Sequence, residues 1–181
     1  ELKPVTQLIS ALKVPVVREL LSLNFVFTLA FSMMQITAAV LWKGLYGLDE
    51  SQIGYVFSFI GLSSALVQGV LVGRMNKRFG EKKLLYVGLV LMAAGLIAMP
   101  IVPPDHFYLE LAALALIALA NGCITPSVLG LLSKTASKAE QGKMLGLNQS
   151  AGSLARVFGP AVGGIAYDFN FHAPYFAGAL I

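Results

Sequence analysis

A single charged residue, Arg156, lies in the middle of an apolar stretch of this sequence. It is the twelfth of the 22 residues from Leu145 to Ala166, and the rest of that stretch is uncharged. In a membrane, a guanidinium at such a depth costs at least about 2.5 kcal/mol, so it must face water, a partner charge or a substrate. Two interpretations follow. Arg156 either faces a cavity, where it pairs with an anionic substrate or a carboxylate, or it forms a structural ion pair between helices.

No pattern for catalysis or for metal binding accompanies this arginine. The sequence has one cysteine, Cys123, and two histidines, His106 and His172, without the spacing of a metal site. It lacks a phosphate-binding loop of the form GxxxxGK[ST], a Ser-His-Asp set and a pair of carboxylates inside an apolar stretch. We therefore expect no enzymatic activity, no catalytic residue, no metal and no cofactor.

The composition indicates a protein with several membrane spans. Hydrophobic residues make up 57% of the 181 residues and charged residues 12%, and the mean hydropathy is +0.77, which excludes an ordinary soluble domain and a disordered chain. About 20 apolar residues cross a bilayer as a helix. Five windows meet this length, and only Glu110, at an edge, and Arg156 are charged within them. The windows are 20–41, 51–72, 84–102, 109–132 and 145–166. A sixth apolar segment starts at Pro174 and is too short to span by Ile181, so we expect a fragment with a truncated last helix.

The basic residues predict the orientation of these spans. Alternate connecting segments carry eleven of them, and the other set of segments carries one, Lys43. Positive charge favours the cytoplasmic side of the plasma (inner) membrane. This rule places residues 1–19 and the loops 73–83 and 133–144 on that side. The first 19 residues form a linker in this scheme, with a possible amphipathic helix over Val5–Leu21. Because membrane topology accounts for the excess of basic residues, we expect no nucleic-acid partner.

Aromatic residues lie near the outer ends of the windows, as in an interfacial belt. They are Trp42, Tyr46, Phe107, Tyr108, Tyr167, Phe169 and Tyr175.

Small residues recur at helical spacing in the second and fifth windows. Such stripes let helices approach closely in lipid. The six predicted helices divide into two successive triplets, and each stripe lies in the middle helix of its triplet. This suggests an inverted repeat of three plus three helices. The stripes are Gly54, Ser58, Gly61, Ala65, Gly69 and Gly73, and Gly152, Ala155, Gly159 and Gly163.

Two segments resemble motifs of the major facilitator superfamily. GRMNKRFGEKK, residues 73–83, is similar to the family's inner loop, with Gly73, Arg78, Gly80 and Lys82 as the gate motif. It departs from the pattern at Lys77, where the family has an aspartate, and at Glu81, where it has an arginine; Glu81 is a candidate replacement for the missing acid. ARVFGPAVGG, residues 155–164, is similar to a motif of drug:proton antiporters. Its helix-packing residues, with the preceding glycine, are Gly152, Gly159, Pro160, Gly163 and Gly164.

The resemblance implies an all-α membrane protein: the C-terminal six-helix half of a twelve-helix bundle, similar to the tetracycline and multidrug efflux branch. In that family the first and fourth helices of each half line the substrate cavity. By this resemblance the cavity candidates are Arg156, Gln35, Asn121, Thr125 and Asn24. The alternative for the uncharged polar residues is hydrogen bonding between helices.

We therefore expect secondary active transport of a small organic compound by alternating access, as proton-coupled efflux of drug-like molecules. The alternatives are a facilitative or symport carrier of a metabolite or sugar, and a membrane scaffold or receptor that does not transport. The expected partners are an N-terminal six-helix half, the lipid bilayer, the substrate and protons. Because no window has a carboxylate at mid-depth, a coupling acid is expected in that other half.

Overall fold

In the computed structural model, residues 14–136 and 140–180 are described, and they form helices joined by short turns. A π-helical segment, Val67–Val72, joins the second helix to the third without a break, and short 3-10 turns lie at Met99–Ile101 and Pro104–His106. The α-helices are α1 Pro15–Tyr46, α2 Glu50–Leu66, α3 Gly73–Phe79, α4 Glu81–Ala98, α5 Phe107–Thr135, α6 Gln141–Phe169 and α7 Ala173–Leu180.

Four helical stretches in the described part of the chain are long and apolar enough to cross a membrane. They are Pro15–Tyr46, Glu50–Phe79, Glu81–Ile101 and Pro104–Thr135. The fifth predicted window also forms a helix, and α6 is long enough at 29 residues. It does not reach the apolar content of the other four, since its sequence includes Asn148, Gln149 and Arg156.

The helices extend further than the apolar windows, and this corrects two boundaries. Residues 15–21, assigned to a separate amphipathic helix, are the first turns of α1, which begins with Pro15 in its first turn; the rest of that predicted helix lies outside the described residues. The predicted inner loop 73–83 is helical except at Gly80. Gly80 has φ +80° and ψ 155°, a conformation open only to glycine, so one residue makes the turn between α3 and α4.

The packing of the helices has an internal symmetry. α1 packs on α6 and α7, and α5 packs in the same way on α2 and α4. α1 also contacts α5, and α4 contacts α7. The first three predicted spans correspond to α1, α2 and α4, and the last three to α5, α6 and α7. Exchanging the two sets preserves the main contacts, as an inverted repeat requires.

Glycines set the closest approaches between helices. A Cβ atom at Gly159 would lie 2.5 Å from Ser32 Cβ, and one at Gly163 would lie 2.9 Å from Met33 Cα, so α6 touches the backbone of α1. At the other strong interface, a Cβ atom at Gly88 or Gly95 would lie 2.6 Å or 2.5 Å from an isoleucine of α5. Gly88 and Gly95 lie outside the predicted stripes of small residues, although they are one heptad apart.

Only some of the residues predicted to mediate helix packing lie at a contact between helices. Gly152, Ala155, Gly159 and Gly163 are buried against the bundle, whereas Pro160 is exposed and Gly164 has open space beside it. The stripe of the second window mediates no packing among the described helices: Gly54, Ser58, Gly61, Ala65, Gly69 and Gly73 are all exposed. α2 contacts α5 with Val56, Ile60 and Ser64 instead.

Candidate functional site

The main candidate site is a cavity of about 410 Å³ between α1, α2 and α5. α1 contributes Gln35 and α5 contributes Asn121, so two amide side chains from different helices reach one space. The other walls are mostly apolar and include Phe31, Met34, Phe57 and Ile60. A site of this kind gives a ligand apolar contact over most of its surface, and the two amides orient its polar groups.

Thr125 acts behind this cavity rather than in its wall. Its Oγ1 donates a hydrogen bond to Asn121 Oδ1 at 3.2 Å, one helical turn away. The bond occupies the amide oxygen and leaves the Asn121 NH2 group to donate toward the cavity. Thr125 therefore helps to hold the Asn121 side chain in its position at the cavity wall.

Asn24 and Arg156 lie elsewhere, at the contact between α1 and α6. Asn24 Nδ2 donates to the backbone oxygen of Asn148 at 3.0 Å, a bond between two helices. The Arg156 side chain is exposed, and its Nη1 lies near Gly152 and the Asn24 amide. Asn24 and Gln35 are eleven residues apart, roughly 16 Å along a helix. The structure thus brings Gln35 and Asn121 together and separates them from Asn24 and Arg156.

The inner-loop motif forms its main internal contact through Glu81. This side chain is 9% exposed, although it starts a helix that follows an exposed turn. Glu81 Oε2 lies 2.7 Å from Lys134 Nζ at the end of α5, and Asn76 Nδ2 donates weakly to Oε1 at 3.4 Å. Its carboxylate packs on Gly130, where a Cβ atom would lie 2.5 Å from Oε1.

The other motif residues face outward. Arg78 and Lys82 are exposed, and neither forms an ion pair with another residue in the described ranges; Arg78 lies over the ring of Phe79, 5.4 Å from its centre. Gly73 is exposed as well. Glu81, one of the two residues that depart from the family pattern, therefore ties this turn to the bundle.

A further polar contact joins Trp42 of α1 to Glu110 of α5. Trp42 Nε1 donates to Glu110 Oε1 at 2.6 Å, and both side chains are completely buried. Tyr175 of α7 is also completely buried. This corrects the expectation of an interfacial belt for Trp42 and Tyr175, although Tyr108 and Phe169 are exposed. The signal in the sequence was available: Glu110 is the one carboxylate inside an apolar window, and Trp42 is the one tryptophan.

A family model described as Major Facilitator Superfamily matches residues 20–181. The chain is 32% identical over 130 residues to solute carrier family 22 member 18 of Rattus norvegicus, covering 71% of this chain and 31% of the relative. It is 28% identical over 155 residues to multidrug resistance protein 2 of Bacillus subtilis, covering 85% and 38%. It is 31% identical over 152 residues to the class D tetracycline resistance protein of Salmonella ordonez, covering 81% and 37%. The chain therefore spans about a third of the length of these relatives.

Proposed function

The chain belongs to the Major Facilitator Superfamily, and on that premise we propose that it forms the C-terminal half of a secondary transporter working by alternating access. The described helices form an all-α bundle whose main contacts repeat between two triplets. The exposed stripe of small residues on α2 offers a face on which helices of the other half can pack closely. In this arrangement the substrate lies between the two halves.

The observation that supports a transported ligand most directly is the cavity with Gln35 and Asn121. It is bounded by aromatic and aliphatic side chains and receives no charged side chain of the described bundle. Such walls favour an amphipathic organic molecule with a polar group that an amide can bind. We therefore propose a small, drug-like compound as cargo.

Outward, proton-coupled movement of that compound is the mode we favour. It rests on similarity to relatives named for multidrug resistance and tetracycline resistance. The similarity to solute carriers supports a second candidate, a facilitative or symport carrier of a metabolite. For the orientation, we propose that the end of the bundle with Glu81 and Lys134 faces the cytoplasm, because the basic segments lie there.

The test uses the intact transporter in sealed inverted vesicles. A pH gradient is imposed, and its dissipation is followed as cationic, neutral and anionic drugs are added. Substrate-dependent proton release supports antiport. Flux that persists in the presence of an uncoupler supports the facilitative carrier, and absence of any flux in folded, inserted protein supports a scaffold that does not transport.

The cavity is tested with Gln35→Ala and Asn121→Ala in the same assay. Each substitution removes one amide from the cavity wall, so we expect a higher KM for substrates that carry a polar group. Gln149→Ala is the matched control, since Gln149 is an exposed amide outside the cavity. Unchanged KM in both cavity variants would contradict the assignment of this cavity as the substrate site.

A further inference from the structure

The carboxyl group of Glu110 is completely enclosed by the bundle. Its side chain has 0% exposure in the half described here, and a second half of a transporter can only bury it further. One oxygen, Oε1, accepts the indole N–H of Trp42 at 2.6 Å. The second oxygen, Oε2, has no hydrogen-bond partner within the described structure.

Among the described residues, the groups that face Glu110 provide no compensating cation. From α1 the neighbouring titratable group is Tyr46, and from α7 it is Tyr175, which is itself near Tyr167 of α6. The lysine on this end of α1, Lys43, is exposed and pairs with Glu50 at the start of α2. α4 carries no charged residue between Leu84 and Ile101.

Two tyrosine hydroxyl groups couple electrostatically to Glu110 without forming a hydrogen bond to it. The Tyr46 and Tyr175 oxygens are buried without a hydrogen bond among the described residues. Tyr175 lies beside Thr37, whose hydroxyl donates to the carbonyl of Met33 at 2.9 Å and keeps a lone pair that can accept from Tyr175. Neither tyrosine hydroxyl forms a hydrogen bond with Glu110 in the described structure, so the second carboxyl oxygen stays unsatisfied.

We propose that Glu110 is a proton-binding site of the transporter, with Trp42 as its fixed donor. An ionised carboxylate buried without a counter-ion is costly, and it is relieved by taking up a proton. The N-terminus of α5 favours the negative charge of Glu110, but this attraction is small beside the loss of hydration. The proposal rests on the proposed function, because it assigns a place for the coupling proton. It places that site in this chain, whereas the sequence alone predicts the coupling acid in the N-terminal half.

The step is a simple protonation. A hydrogen ion adds to Oε2 and converts the carboxylate to a carboxylic acid, while Oε1 keeps the Trp42 bond. Release returns the hydrogen ion to water and restores the carboxylate. Because the side chain is enclosed here, exchange with water requires separation of α1, α5 and α7 at this end of the bundle.

Infrared difference spectroscopy of the purified, intact transporter in sodium-free buffer tests the site directly. We expect a C=O stretching band of a protonated carboxyl group that changes when substrate is added or the pH is raised. The band is lost in Glu110→Gln and retained in Glu50→Gln, which neutralises an exposed carboxylate near the same end. Trp42→Phe removes the indole donor and is expected to shift the band without abolishing it.

Transport assays separate this proposal from the proposed function. Glu110→Gln resembles the protonated state, so we expect it to retain substrate counterflow, which also shows that it folds, and to lose accumulation driven by a pH gradient. Coupled transport with no Glu110 band, or full coupling in Glu110→Gln, overturns the proton site and leaves the transporter intact. A band that responds to sodium as strongly as to pH also overturns it. If the Glu110 band is present but the protein shows no proton-coupled flux, the antiport mechanism is rejected and the proton site is not.

Discussion

The Nζ atom of Lys134 lies 2.7 Å from Oε2 of Glu81, and this ion pair joins the end of α5 to the start of α4. The two partners differ in environment, since the Lys134 side chain is 71% exposed and that of Glu81 is 9% exposed. Glu81 stands where the family pattern has a basic residue. Glu81 therefore supplies, at this end of the bundle, the acidic contact that Lys77 cannot make.

Removing either partner of this pair should reduce stability. Lys134→Ala leaves the 9% exposed Glu81 carboxylate without its cation, so we expect a loss of about 1–3 kcal/mol. Glu81→Ala removes a buried side chain with two partners, and we expect a loss of about 1–3 kcal/mol. A double-mutant cycle on melting temperature in detergent measures the coupling. Lys82→Ala, at an exposed neighbour, is the control, and strictly additive effects of Glu81→Ala and Lys134→Ala would contradict a direct pair.

Two adjacent glycines of α6 provide a matched test of helix packing. A Cβ atom at Gly163 would lie 2.9 Å from Met33 Cα, so Gly163→Ala must push α6 away from the backbone of α1. We expect a loss of about 1–3 kcal/mol. Gly164 has open space, so Gly164→Ala should gain up to about 1 kcal/mol from its better helix propensity. Thermal unfolding of both variants checks this difference, and equal melting temperatures would rule out the close contact.

The turn at Gly80 should tolerate no other residue. Its φ of +80° and ψ of 155° are open only to glycine, so Gly80→Asn should cost about 1–3 kcal/mol in strain. Gly47 also has a positive φ, 65°, but its ψ of 24° lies near the left-handed helical region that asparagine adopts. Gly47→Asn is therefore expected to be close to neutral in the same thermal assay. A similar loss at both positions would show that the turn geometry is not the cause.

Arg156 should affect transport more than stability. Its side chain is exposed on α6 and forms no ion pair with another residue in the described part of the chain, so Arg156→Ala should leave the fold of this bundle intact. If the guanidinium binds an anionic substrate or a carboxylate of the other half, the variant loses transport and Arg156→Lys retains part of it, because the point charge remains. Flux is compared at equal expression. Full transport by Arg156→Ala would remove Arg156 from the mechanism.

The sequence identified the candidate polar residues but could not group them. Asn24 and Gln35 share a helix and a predicted face, yet Asn24 bonds to Asn148 whereas Gln35 shares a cavity with Asn121. The partner of each of these residues depends on which helix lies opposite it. That arrangement is set by contacts between residues more than 80 positions apart, which local periodicity does not record.

The sequence by itself determined the helical segments and the membrane character of the chain, because a run of apolar residues must satisfy its backbone within one helix in lipid. It also placed Gly80 in the inner-loop motif, but only the structure shows that this one residue makes the turn. Tertiary structure alone decided that the stripe on α6 packs against α1 while the stripe on α2 is exposed. It also decided that Glu110, at the edge of its window, is fully enclosed by Trp42 and its neighbours. The physical reason is that burial depends on the rotation of each helix about its axis and on its neighbours, and those are properties of the whole bundle.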